Sequence, residues 1–400
     1  MSGIRLRSGV FLPPFHPLDE NPSLCYRRDI QLMEWLDQLG YEEAWFGEHH
    51  QSGWEMLASP ELLIAAAAEH TKRIKLGTGV VSLSYHNPFM VATRIAQLDH
   101  QTMGRVMFGA GPGLHIYDAK MLGIDPNKMR DRLPEALDVI LRLFRGERVT
   151  KKTDWFDLRD AFLQVPCYSD PYPEVVVASS KTPSGGNVAG TFGLGLLCVI
   201  ASKAEGFDAL ATNWDLANEV AAANGHTMDR SKLRLVAPIH IAETREKARA
   251  NVSFGLEKWM NYWTTTTPRS KDRYKRTLAE GFDLPDAVCK IEGGVIGTPD
   301  DVIALIERLQ AKQGEFGCFL QMGHNWADWE QTKKSYELFA RFVVPHFRDS
   351  NRNRRYSLEL FRDTEEELKL AQQKTIETAF AKFNTTRESE GKSTITMPKF

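Results

Sequence analysis

Gly9-Val10-Phe11-Leu12-Pro13-Pro14-Phe15-His16-Pro17 reads as a short apolar strand that leaves through prolines and an aromatic residue. An open, doubly wound sheet carries its glycine-rich dinucleotide turn at this place, directly after the first strand. Consecutive prolines cannot make that turn. A helix over 27–39 follows instead, with Ile30, Met33, Leu36 and Leu39 on one face and Gly40 as its stop. The same alternation then repeats. Glu43–Gly47 is a second strand, answered by a helix that opens at Ser59-Pro60 and runs to about Thr71. Ile74–Val81 is the third, and Asn87-Pro88 opens a helix with Val91, Ile95 and Leu98 in register. Arg105–Gly109, Glu174–Ala178, Leu196–Ile200, Leu233–Ile241 and Phe316–Leu320 are the fourth to eighth strands. Eight apolar strands alternating with helices, and few clear hairpin signals, predict an α/β chain closed as a (β/α)8 TIM barrel. The open sheet is the alternative.

Two segments exceed that plan. Residues 251–296 form an insertion between strands seven and eight, with Trp259, Met260, Tyr262 and Trp263 near its start. An insertion in a βα loop is either an active-site lid or a helical decoration with its own aromatic core. After a barrel spanning 1–350, residues 351–400 are a polar helical extension to about Phe383 and then a Ser/Thr/Lys tail. Its sparse apolar stripe suits either a neighbouring subunit or a solvated tail.

Composition narrows the class. Of 400 residues 42% are hydrophobic and 26% charged, which excludes wholesale disorder. Lys+Arg 50 against Asp+Glu 52 gives a net charge of -2 and no general pull towards nucleic acid or an anionic membrane. No apolar run approaches the roughly 20 residues of a membrane span, and the N-terminus lacks the apolar core of a signal peptide. Cys25, Cys167, Cys198, Cys289 and Cys318 are scattered without a CxxC pair, as expected of reduced thiols in the cytoplasm.

Chemistry in such barrels gathers at the C-terminal ends of the strands. Those ends hold His16, Glu48-His49-His50, Ser82 with Ser84 to Asn87, then Gly111, Gly113 and His115. Ser179, Ser180, Thr182 and Ser184 follow strand five, and Gln321, His324 and Asn325 follow strand eight. Several of the 11 histidines thus converge on one mouth, which implies a working pocket. A metal site is the weaker reading: there is no HxH on the first strand and no HExxH, and neighbouring His49 and His50 point to opposite sides of a regular strand. Ser179 to Asn187 is a hydroxyl- and glycine-rich loop running into a helix, an arrangement suited to a phosphate through exposed glycine amides. It is not a Walker loop, because GxxxxGK[ST] is absent.

Five stretches, in this order, resemble the bacterial luciferase-like flavin-dependent monooxygenases, and among them the limonene monooxygenase type. They are Trp45–His50, Gly77–Val81 with His86-Asn87-Pro88, Arg105–Gly111, Ser184–Gly193 and Gly297–Val302. The resemblance spans about residues 8–347. It implies a barrel enzyme that receives reduced FMN by free diffusion from a separate flavin reductase. With O2 it would oxygenate a small apolar substrate, a terpene-like alkene or a ketone, through a flavin C4a-(hydro)peroxide. His49 matches the histidine that assists this chemistry and Glu48 the carboxylate beside it. Gly79-Val80 matches a cis peptide under the flavin. The cofactor set that follows is Gly79, Val80, Ser82, Gly111, Ser179, Ser180, Thr182, Ser184, Gly185 and Gly186. Expected substrate contacts are Phe15, Tyr85, His115, Trp259, Trp263, His324 and Trp326. Luciferases proper carry Cys-Arg after strand four where this chain has Gly111-Pro112, so phosphate binding falls to amides, hydroxyls or Lys181. A homodimer or other homo-oligomer is implied by the resemblance alone. The alternatives are an F420-dependent hydride-transferring oxidoreductase, a non-catalytic flavin-binding barrel and, outside the superfamily, a metallohydrolase.

Overall fold

The computed structural model describes residues 3–13, 15–113 and 115–398. The Pro14 part of the first turn, the Met1-Ser2 start and the end of the tail at 399–400 lie outside the described residues.

Among the described residues, eight parallel strands close into a barrel. They are β1 (Arg7–Leu12), β2 (Glu43–Phe46), β3 (Lys75–Thr78), β4 (Val106–Gly111), β5 (Val175–Ser179), β6 (Gly195–Cys198), β7 (Leu233–Ile241) and β8 (Cys318–Met322). Each pairs with the next in chain order, and β8 returns to β1 with Arg7 opposite Cys318 and Phe11 opposite Met322. Alternate side chains point inward. Phe11, Trp45, Met107, Val176, Leu197, Val236, Cys318 and Leu320 fill the interior, while Val10, Phe46, Phe108, Val177 and Leu235 join the larger layer under the helices.

The N-terminal end of the barrel is closed by charge rather than by hydrocarbon. Arg234 is fully buried and grips Glu43 with two hydrogen bonds, Nε to Oε2 at 2.7 Å and a terminal nitrogen to Oε1 at 3.1 Å. Arg7 adds a contact of 2.7 Å to Oε1, and Trp45 Nε1 donates to Oε2 at 2.9 Å. The guanidinium of Arg234 also lies 5.0 Å from the Trp45 ring centre. Burial alone would push the Glu43 carboxyl up, but the two guanidiniums outweigh it and hold it at about 2.

Several local readings change. The first helix starts at Pro22, not near residue 27, because Asn21 accepts from the amides of Ser23 and Leu24 and Pro22 suits the first helical position. The third strand is not continuous from Ile74 to Val81. It stops at Thr78, passes a cis Gly79–Val80 peptide, and resumes as Val81–Ser82 against β4. An antiparallel hairpin, Val149–Lys152 with Asp157–Ala161, interrupts the βα alternation where no hairpin was expected. The insertion folds as helices Leu256–Thr266, Pro268–Ala279 and Leu284–Glu292, followed by Val295–Gly297 pairing with β7.

The chain divides into two compact units, Met1–Phe347 and Arg348–Phe400. The second contains helices Arg352–Asp363 and Glu365–Ser389 in place of one helix ending near Phe383. Thr364 breaks the run, and Glu365, Glu366 and Glu367 favour a fresh helix start by opposing its dipole. No helix among the described residues is long and apolar enough to cross a membrane.

Candidate active site

Two buried carboxylates organise the histidines at the barrel mouth, each serving a different face of the segment after β2. Glu48 is the first. Its Oε1 accepts from His50 Nε2 at 3.0 Å and His86 Nε2 at 2.6 Å, and its Oε2 from the Ser82 amide at 2.6 Å. Burial raises this carboxyl, but the donors from His50 and His86 overcome it and bring it down to about 2. Glu48 is therefore an anion that ties the end of β2 to the segment after β3.

Glu55 is the second, six residues after His49, and only 6% exposed. Its Oε1 lies 3.3 Å from His49 Nε2. Its Oε2 lies 3.3 Å from His115 Nε2 and accepts from Tyr262 Oη at 2.5 Å. The His49 and His115 rings meet edge to face with centres 4.7 Å apart. Burial pushes the His49 pKa down despite Glu55, whereas the hydrogen bond to Glu55 raises that of His115. The other nitrogen of His49, Nδ1, is buried with no hydrogen-bond partner among the described residues. Donor atoms of His49, Glu55 and His115 lie within 4.8 Å of one another, a spacing a cation can bridge. Here imidazole and phenol donors already occupy the carboxylate, and no metal is assigned.

Above the interior core the barrel presents small groups. A Cβ on Gly111 would come within 2.5 Å of Val80 Cγ2 and 3.6 Å of the Ala178 methyl. Beside this floor runs the loop after β5. Its helix, Ser184–Phe192, has no side-chain cap, so first-turn amides are left for another acceptor. Thr182 and Ser184 hydroxyls lie 3.0 Å apart at its start.

A profile of the family described as luciferase-like monooxygenase matches residues 6–314. The chain belongs to that family. It is 46% identical over 350 residues to limonene 1,2-monooxygenase of Rhodococcus erythropolis, covering 86% of this chain and 87% of the relative. It is 45% identical over 354 residues to 4-hydroxyprotoasukamycin monooxygenase of Streptomyces nodosus subsp. asukaensis, covering 86% and 93%. The oxygenating constituent of 3,6-diketocamphane monooxygenase from Pseudomonas putida, solved in complex with FMN, has the same fold, with a TM-score of 0.73 at 23% identity over 85% and 98% of the two chains. The protein is an enzyme of the monooxygenase class.

A luciferase-like monooxygenase needs a place for a planar ring and an anion, and groups that could serve each stand at this mouth. Gly111 lets Val80 and Ala178 pack closely into a low floor, the orphaned Nδ1 of His49 can serve one polar edge, and the amides at Ser184 suit a phosphate. Individual assignments sort themselves by direction. Ser180 lies just past the end of β5, where its carbonyl accepts from Asn213 Nδ2 at 3.0 Å. Ser179 faces the helical layer, where its hydroxyl accepts from Asn213 Nδ2 at 3.3 Å; it is turned away from the mouth. Gly185 and Gly186 are not exposed as expected: a Cβ on either would strike the carbonyl oxygen of Ala178 or Asn213 at 2.5 Å, so both serve close packing as much as any ligand. Ser82 reaches Glu48 through its amide.

The expected substrate residues fall in two groups. His115 joins the Glu55 cluster, and Tyr85 packs over Gly113. Phe15, Trp259, Trp263 and Trp326 form one aromatic core with Trp54, Tyr262 and Tyr274, and Phe15 contacts Trp259 at 4.7 Å between centres. This core anchors the insertion to the barrel, so Trp259 and Trp326, only 1% and 0% exposed, need movement of neighbours to meet a ligand. His324 stacks on Trp326 at 4.0 Å and donates to the Ile239 carbonyl, and burial lowers its pKa to about 3. It acts as a neutral structural group. His16 likewise turns to Asp29 and Arg28 at the first helix. Glu55 was missed by the sequence reading. A carboxylate in the short stretch Gln51–Leu57, directly after a histidine pair, was the available signal.

Proposed function

We propose that this chain is the oxygenase of a two-component pair, taking reduced FMN from a separate flavin reductase and, with O2, oxygenating a small, poorly polar molecule such as a terpene-like alkene or a cyclic ketone. The observation that carries the reading is the buried, unpartnered Nδ1 of His49, on a ring that lies against Gly47, where an added Cβ would be 3.8 Å from both His49 Cδ2 and the Gly79 carbonyl oxygen. The relatives' names support it, one acting on limonene and the fold neighbour holding FMN. Bound reduced flavin supplies the electrons that activate O2. The protein supplies the rest. Ser180, Thr182, Ser184 and the first-turn amides would hold the phosphate, Gly79, Val80 and Gly111 would underlie the ring, and His49 would hold or pass one proton at Nδ1. Phe11, Val80 and Met322 at the top of the interior core keep the ring's underside dry. The reading extends to a cytoplasmic homo-oligomer, in keeping with five free cysteines.

A substrate panel run with FMN, a generic reductase, NADH and air tests it, reading products by mass. Oxygenated product that disappears under argon is expected. Product formed equally without O2 would replace the reading with hydride transfer of the F420 kind, and tight FMN binding without any turnover would leave a binding barrel. Replacing Ser180 and Ser184 together by alanine should weaken FMN binding about tenfold or more, since a hydrogen bond to a charged group is worth about 1.5–3 kcal/mol. Fluorescence titration measures this, and an unchanged affinity would move the phosphate elsewhere.

A further inference from the structure

Glu55 stands where three elements meet. It follows the β2 loop that carries His49, bridges to Phe15 after β1, and receives Tyr262 from the insertion helix Leu256–Thr266. A carboxylate only accepts, so each group that touches it must turn a proton towards it. For His49 the nitrogen facing the carboxylate is Nε2, 3.3 Å from Oε1; the contact is not an aligned hydrogen bond, but the negative charge favours the proton on that nitrogen. Nδ1, the nitrogen without a partner, is then the lone pair of the neutral ring.

We propose that Glu55 is the positioning residue of this site, fixing which nitrogen of His49 bears the proton and linking that choice to the insertion through Tyr262; the proposal rests on the role given to His49 above. One negative charge faces two imidazoles and a phenol. With the His49 and His115 rings 4.7 Å apart, two imidazolium charges would repel. The single positive charge therefore settles on His115, whose ring is hydrogen-bonded to Glu55 and more exposed than that of His49. His49 stays neutral. Besides Glu55 and His115, the titratable groups facing His49 are Asp118, from the helix Ile116–Met121, and Glu48, which is occupied by His50 and His86. Tyr262 enters by competition. Its hydroxyl shares Oε2 with His115, so a docked insertion weakens the pull of Glu55 on both imidazoles.

The two halves of the proposal predict shifts of opposite sign. Long-range proton–nitrogen spectra of the cofactor-free protein, recorded from about pH 5 to 9, read histidine tautomers and midpoints directly. Wild type should show His49 as the Nε2–H tautomer. Glu55→Gln should mix the His49 tautomers and lower the His115 midpoint by about one unit, because the charge is gone. Tyr262→Phe should raise the His115 midpoint while keeping the His49 tautomer, because the carboxylate regains the charge it shared with the phenol. An unchanged tautomer in Glu55→Gln, or a downward shift in Tyr262→Phe, overturns the proposal. So does stoichiometric zinc or iron in wild type that Glu55→Gln loses. If Glu55→Gln does not fold, the sign of the Tyr262→Phe shift decides alone. The spectra contain no flavin, so failure here and failure to bind or use reduced FMN are separate results.

Discussion

His49→Ala should lower product formed per reduced FMN consumed by about 10²-fold or more, with hydrogen peroxide released in its place, because a positioned proton-transfer group typically contributes at least that much. The reason is local. Nδ1 of His49 is buried without a partner, while its Nε2 is held against Glu55. Alanine removes the free nitrogen and leaves Glu55 its contacts to His115 and Tyr262, so the fold and the phosphate side should be little affected. FMN affinity within a few-fold of wild type would confirm that chemistry, rather than binding, was lost. Equal coupling in the variant would remove His49 from the mechanism. The pH dependence has a definite sign. Burial holds the His49 pKa below its usual 6.5, so the neutral ring persists through neutrality and coupling should fall only at pH values below that usual imidazole range. A plateau that begins to fall above pH 7 would contradict this.

The largest effect on stability is expected at the opposite end of the barrel. Arg234→Met should cost about 3–5 kcal/mol, the usual penalty for leaving one partner of a buried ion pair behind. Glu43 would keep only Arg7 and Trp45, and Arg7 is partly open to solvent. Urea unfolding at neutral pH measures the loss; a change under 1 kcal/mol would show that the pair is incidental. Adding Glu43→Leu should recover part of the deficit, since the fully buried carboxylate is gone and the partners left behind, Arg7 and Glu174, are partly open to solvent. The sign with pH follows from the depressed carboxyl. The folded pKa of Glu43 is about 2 against a usual 4.5, so its contribution is present above 4.5 and is lost as pH falls towards 2. The gap between wild type and Arg234→Met should therefore narrow across that interval.

The barrel was legible in the sequence because each βα unit announces itself locally: an apolar run, a cap such as Asn87-Pro88 or Thr298-Pro299, and a striped helix. What failed was local structure that answers to distant partners. The hairpin after residue 148 has strands of four and five residues, mostly polar, and little periodicity to reveal it. The mouth was legible in kind and incomplete in detail. A run of histidines marked the C-terminal rim of the barrel in the sequence, but only the folded chain shows that His49 and His50 address different carboxylates, or that His16 and His324 belong to other networks. Ser179 and Ser180 look equivalent in a string of hydroxyls; in the folded chain Asn213 takes the hydroxyl of the first and only the carbonyl of the second. Glu55 had no repeat to mark it, since its importance comes from Tyr262, 207 positions away.

The charged base has one more implication. With Arg234, Glu43, Trp45 and Met107 filling the lower interior, the cylinder is a cup, not a pipe, and everything that enters must leave by the same rim. Whatever lodges last therefore corks what lodged first. If the cofactor proposed above seats first, a bulky, unreactive mimic of the substrate should slow its escape, so that order of arrival becomes a property of the vessel's shape.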